Sequence, residues 1–167
     1  VDYDFMTRYK AHLTDYIRRE VNAADHDHPL AGMHIVVDAG NGNGGFFVDV
    51  LKSLGADTTG SQFINPDGRF PNHIPNPENK EAMESICQAV VNSHADLGII
   101  ADTDVDRSAI VDRHGDPINR NSLIALIAAV ILSEHPGSTV VTDSVTSDGL
   151  AEFIAAKSRN HHPFKLR

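Results

Sequence analysis

Asp96-Leu97-Gly98-Ile99-Ile100-Ala101-Asp102-Thr103-Asp104-Val105-Asp106-Arg107-Ser108-Ala109-Ile110-Val111-Asp112 reads as strand, loop, strand. The apolar run at 97–101 reads as a short strand that ends at the acidic loop. A second short run follows at 109–112. A parallel crossover needs about a dozen residues or more, and only a short loop is available here, so the two strands are expected to be antiparallel neighbours. Within the loop three carboxylates alternate with uncharged residues, and Arg107 follows at once.

Upstream, residues 33–37 form another short apolar run, also read as a buried strand. A glycine-rich turn at 40–45 leads into an expected helix at 46–54. Residues 56–60 read as a weak strand. A long loop at 61–77 carries Pro66, Gly68, Pro71, Pro75 and Pro77. Loops of that length inside a domain are usually functional or held by their own side chains. Helices are expected at 5–21, 78–93, 123–132 and 148–156, with a further strand at 139–142. Strands that alternate with helices predict a three-layer α/β/α sandwich whose sheet is mixed but mostly parallel.

The 167 residues carry a net charge of −9, with 41% hydrophobic and 22% charged residues. Such a balance disfavours nucleic acid as a partner, because that binding relies on Lys and Arg against phosphates. No apolar run approaches the roughly 18 residues that suggest a membrane span, so no membrane partner is expected. Cys87 is the single cysteine, which excludes an internal disulfide and fits a reducing compartment. The cytoplasm is the expected setting, with a plastid left open. The chain lacks an initiator Met and a signal-peptide start, so it is expected to begin inside a longer protein. Ten histidines are scattered without the spacing of a zinc site.

Three carboxylates at i, i+2 and i+4 in an irregular loop can converge on one point, where they repel one another. A divalent cation relieves that repulsion. Mg2+ suits such a set, because it takes a few carboxylates and keeps positions for phosphate oxygens. Asp102, Asp104 and Asp106 are therefore the candidate metal ligands, with Arg107 a bidentate contact to phosphate. The loop follows the carboxyl end of a strand, where α/β sheets place their ligands.

Two other readings use nearby residues. Asp102-Thr103-Asp104-Val105 also fits the nucleophile motif of haloacid-dehalogenase-type phosphatases, with Asp102 phosphorylated and Asp104 the general acid/base. That class needs a downstream Lys and a second acidic pair. Only Lys157 and Lys165 follow, and no convincing pair does. Gly40, Gly42 and Gly45 satisfy the dinucleotide-binding G-x-G-x-x-G spacing. The ribose-binding acid expected about 20 residues later is missing, since that position reads Thr59-Gly60-Ser61-Gln62. Tight turning and close packing are the favoured role of these glycines. Asp67, Arg69 and His73 could meet a ligand, but a loop that fixes its own conformation is the favoured reading.

Four ordered blocks together resemble the α-D-phosphohexomutases, which include phosphoglucomutases and phosphomannomutases. Ile35-Val36-Val37-Asp38-Ala39-Gly40-Asn41-Gly42 is similar to the strand and turn that open that family's second domain. Pro66-Asp67-Gly68-Arg69-Phe70-Pro71-Asn72-His73-Ile74-Pro75-Asn76-Pro77 is similar to its long loop. The acidic loop resembles the family's Asp-Gly-Asp-Gly/Ala-Asp-Arg, with Thr103 and Val105 where small residues are usual. The segment 115–132 resembles the passage into the third domain. The resemblance implies that residues 1–116 are the second domain with its entry helix. Residues 117–167 would be an incomplete start of the third domain, with 157–167 poorly anchored and apolar faces exposed at Ile124, Ile127, Ile131 and Phe153.

It further implies an enzyme that interconverts hexose 1-phosphate and hexose 6-phosphate through a phosphoserine and a bisphosphorylated sugar. Mg2+ would rest on Asp102, Asp104 and Asp106, and Arg107 would serve both catalysis and substrate binding. The family's Ser-His-Asn-Pro phosphoserine loop and Gly-Glu-x-Ser-Gly-His sugar loop do not occur in these residues. The isolated chain is therefore expected to be inactive. The hexose and the oligomeric state are left open.

Overall fold

The computed structural model describes residues 3–142, 146–157 and 161–163. The chain forms two compact units, Val1–Pro117 and Ile118–Arg167.

In the first unit, α1 (Phe5–Glu20) starts where the Asp4 carboxylate accepts from the Thr7 N–H, a side-chain cap. The strand β1 (Ile35–Asp38) is wholly buried. A single 3-10 turn, Asn43–Phe46, then leads into the short helix α2 (Phe47–Ser53). Helix α3 (Lys80–Ser93) is capped by Asn79, and its buried residues Ala82, Ile86, Ala89 and Val90 follow helical spacing. Strands β2 (Leu97–Ala101) and β3 (Ser108–Asp112) complete the unit.

The sheet order is β1-β2-β3, with β1 and β2 parallel and β2 and β3 antiparallel. The sheet is mixed, as the short acidic loop requires. Alternation divides the core. Ile35 and Val37 pack with Val48, Leu51 and Leu54, against which Leu13 and Ile17 of α1 also rest. Val36, Ile100 and Val111 pack on the other face with Ile86 and Val90 of α3. Helices thus cover both faces, which gives the three layers. Gly98 is needed for that approach, since a Cβ there would lie 2.4 Å from Val90 Cγ2.

The expected strand at 56–60 is not formed. Asp57 and Gln62 each make one parallel bridge, at His34 just before β1 and at Asp38 in it. Between them the chain bows out. The Asp57 carboxylate turns back to the Thr59 N–H, Gly60 is left-handed at φ 91°, and the Ser61 hydroxyl takes the Val37 N–H in place of a backbone carbonyl.

The second unit contains α4 (Arg120–Glu134), β4 (Val140–Thr142), α5 (Asp148–Lys157) and β5 (His161–Pro163). Strand β5 pairs in parallel with β4. This corrects the expectation that residues 157–167 lack an anchor, at least for 161–163; 158–160 and 164–167 lie outside the described residues. His161-His162-Pro163 has neither alternation nor β-branched residues, so its partner shows only in the fold. Ala128, Leu150 and Ile154 form a small core, and Ile124 and Phe153, expected to be exposed, pack against it instead. Ile127 and Ile131 are exposed as expected, and so are Leu126 and Val130. Among the described residues no helix is long and apolar enough to cross a membrane.

Amide exchange is expected to separate the two sheets. Residues 35–38 and 97–101, buried between helix layers, should be protected far longer than 140–142, which sit in a two-stranded pair on a small core. Equal protection, read by hydrogen-exchange mass spectrometry, would mean that the whole chain opens as one cooperative unit.

Candidate metal centre

The loop 102–107 is closed by its own ends. The Asp102 N–H donates to the Arg107 carbonyl at 3.0 Å, and the Arg107 N–H returns to Asp102 Oδ1 at 3.2 Å. Arg107 Nε donates to Asp102 Oδ2 at 2.9 Å and lies 3.6 Å from Asp106 Oδ1. Val105 reverses the chain at φ 67°, the left-handed region. Asp102 is 1% exposed, whereas Asp104, Asp106 and the Arg107 side chain (55%) face solvent.

One carboxylate oxygen from each of Asp102, Asp104 and Asp106 lies within 4.8 Å of the other two. Oxygens around an octahedral Mg2+ at about 2.1 Å stand roughly 3 to 4.2 Å apart, so small side-chain rotations bring the three within reach of one ion. The donor set is all oxygen, which suits a hard divalent cation.

The electrostatics agree with crowding. Burial pushes the Asp102 carboxyl up, but the Arg107 N–H, the Asp106 carboxyl and the Arg107 guanidinium outweigh it and hold Asp102 below the usual range. Asp106 is pushed above that range by sharing a hydrogen bond with Asp102 and by the charges of Asp102 and Asp104. Pairing with Asp102 raises Arg107, which stays cationic.

The glycine turn packs directly on this loop. The Asn43 N–H donates to the Thr103 carbonyl at 2.9 Å. A Cβ on Gly42 would lie 2.9 Å from Thr103 Cα, and one on Gly45 only 1.8 Å from the Ile64 carbonyl oxygen. The space a pyrophosphate would need is filled by the chain itself, so the dinucleotide reading falls. The phosphatase reading also loses ground, because both Asp102 oxygens are engaged by Arg107 and the side chain is buried.

The long loop holds itself. Arg69 pairs with Asp67 through two nitrogens, at 2.9 and 2.6 Å. His73 turns inward, with Nε2 3.0 Å from each oxygen of Asp38. Asp38, Gln62 and Ser85 were not singled out by the sequence. Yet the strand's alternation puts Asp38 on the same buried face as Val36, and an acid there needs partners. An open hollow beside Asp104 and Val105 is walled by Phe5, Tyr9, Phe46 and Ile64.

A family model described as phosphoglucomutase/phosphomannomutase, alpha/beta/alpha domain II, matches residues 8–115. The chain belongs to the phosphoglucomutase/phosphomannomutase family. It is 34% identical over 143 residues to a phosphoglucomutase of Neisseria gonorrhoeae, covering 81% of this chain and 31% of that protein. It is 37% identical over 140 residues to a phosphomannomutase of Salmonella typhimurium, covering 81% and 29%. A solved phosphoglucomutase/phosphomannomutase family protein from Burkholderia thailandensis superposes with a TM-score of 0.79 at 26% identity, over 95% of this chain and 33% of that one. The chain thus spans less than a third of the length of the curated relatives it matches.

The like-charge crowding predicts a sign reversal. Without added metal at neutral pH, Asp106→Asn should raise the melting temperature slightly, because a carboxyl whose folded pKa is raised costs stability once ionised. The gain should vanish as pH falls below 3.8, where the carboxyl is protonated in both folded and unfolded chains. Asp102→Ala should lower it by leaving the Arg107 bonds unmatched. With MgCl2 in excess, Asp106→Asn should fall below the unsubstituted chain. Calorimetry with and without the salt checks all three.

Proposed function

We propose that this chain supplies the Mg2+ loop of a mutase that interconverts hexose 1-phosphate and hexose 6-phosphate. The observation that carries the reading is the convergence of Asp102, Asp104 and Asp106 beside a paired yet exposed Arg107, on a fold shared with enzymes of that name. Asp104 and Asp106 offer exposed oxygens at the surface, while buried Asp102 fixes the geometry. When bound, Mg2+ would supply positive charge against a phosphoryl group in transfer.

Arg107 commits its Nε to Asp102 while its side chain stays exposed. Its remaining nitrogens would take phosphate oxygens and neutralise charge there. The substrate we infer is a hexose phosphate, and the setting a cytoplasm. The lone Cys87, whose thiol burial pushes up, is compatible with a reducing compartment.

Titration with MgCl2 followed by NMR should shift residues 102–107 first and saturate weakly, because no phosphate completes the shell. The purified chain should release no phosphate from hexose phosphates. Shifts centred elsewhere would remove the metal assignment. Robust phosphoester hydrolysis lost in Asp102→Asn would replace the mutase reading with the phosphatase one.

A further inference from the structure

We propose that the buried Asp38–His73 pair positions the aspartate loop, acting through the glycine turn, so that His73 is a positioning residue for the metal centre. The inference rests on reading that loop as the metal site, and it concerns residues that no metal would touch.

Asp38 is 0% exposed and His73 7%. A buried carboxylate is costly unless every oxygen is bonded. Asp38 achieves this with four donors from four segments. Its Oδ1 accepts from the Gly40 N–H at 2.8 Å, and its Oδ2 from Gln62 Nε2 at 2.8 Å and the Ser85 hydroxyl at 3.0 Å. His73 Nε2 faces both oxygens. His73 Nδ1 lies 3.1 Å from the Ile74 carbonyl, and the ring meets Phe63 edge-on. The ring therefore has one orientation.

That orientation is transmitted by contact. A Cβ on Gly40 would sit 2.9 Å from His73 Cε1 and 2.7 Å from Pro75 Cβ, so the turn lies flat against the loop. Gly40 and Asn41 are both left-handed, at φ 52° and 61°, a conformation that local bonds must enforce for Asn41. They do. Asn41 N–H donates to the Phe63 carbonyl at 2.8 Å, its Nδ2 donates to the Asn65 carbonyl at 2.8 Å, and its Oδ1 accepts from Asn72 at 2.7 Å. The next two residues touch the acidic loop, Gly42 by packing on Thr103 and Asn43 by its N–H to the Thr103 carbonyl. Thr103 lies between the ligand candidates Asp102 and Asp104. Release of the ring from Asp38 frees the turn on which Thr103 rests.

The test separates the two ring nitrogens in the full chain. His73→Gln places an amide nitrogen near Nε2 and keeps the Asp38 contact. His73→Asn places one near Nδ1, keeping the Ile74 contact and losing Asp38. In metal-free buffer, His73→Asn should speed amide exchange of Asn43 and Arg107 about tenfold while residues 97–101 change less than about twofold. His73→Gln should stay near the unsubstituted chain.

Unchanged exchange at Asn43 and Arg107, equal behaviour of the two variants, or uniform loss across 97–101 would each overturn the proposal. With MgCl2, the apparent affinity read at 102–107 should fall several-fold in His73→Asn and recover in His73→Gln. If the unsubstituted chain gives no saturable shift there, the metal reading fails, and the exchange comparison alone decides the role of His73.

Discussion

Both oxygens of Asp102 are held by Arg107, one by the backbone N–H and one by Nε, and the geometry of the acidic loop follows from that pairing. Strands β2 and β3 are adjacent and antiparallel, so the loop must reverse within six residues. A buried carboxylate at the reversal would be expensive alone. Arg107 removes that cost at both ends of the loop, with Asp102 N–H on its carbonyl as well. Asp104 and Asp106 are then presented outward with no comparable partner, and the charges of Asp102 and Asp104 press on Asp106. The protein accepts residual repulsion at the surface as the condition of an oxygen-rich site.

The glycine turn shows how a motif can be met for another reason. Its spacing matches a dinucleotide fingerprint because both cases need a strand to turn sharply and a backbone to approach something closely. What approaches here is protein. Thr103 fills the space at Gly42 and Ile64 the space at Gly45. The missing acid near Gly60 was the sequence's sign of this, and the structure explains the absence. Residues 58–61 bow away from β1, so no strand end exists there to present an acid.

The layered α/β architecture was legible because alternating strand residues and helical spacing are local signals. Val36 and Val37 pack on opposite faces, and α3 buries one stripe, as the pattern requires. The acidic loop was legible for the same reason, since its ligand candidates are neighbours in sequence. The residues missed act across distance. Asp38 meets His73 from 35 positions away, and Gln62 and Ser85 join from two further segments. No local period encodes such a meeting. Strand β5 was missed because its pairing, and not its propensity, makes it a strand. The segment at 56–60 departs from its expected strand because an Asx turn and a left-handed glycine interrupt it.

Two buried acids close neighbouring parallel strands, Asp38 at the end of β1 and Asp102 just past β2. Burial alone would rank them as equal candidates for chemistry. Their donors distinguish them. Asp38 is saturated by four protein groups converging from all sides, so no ligand has a route to it. Asp102 receives its donors from one side, from its own loop, and shares its other flank with exposed Asp104 and Asp106. The first carboxylate is spent on holding the long loop and the turn in place. The second is fixed by its neighbours and still borders open oxygens. A buried acid becomes a ligand candidate when its hydrogen bonds leave one direction uncommitted, and in this chain only the edge at Asp102 meets that condition among the described buried acids.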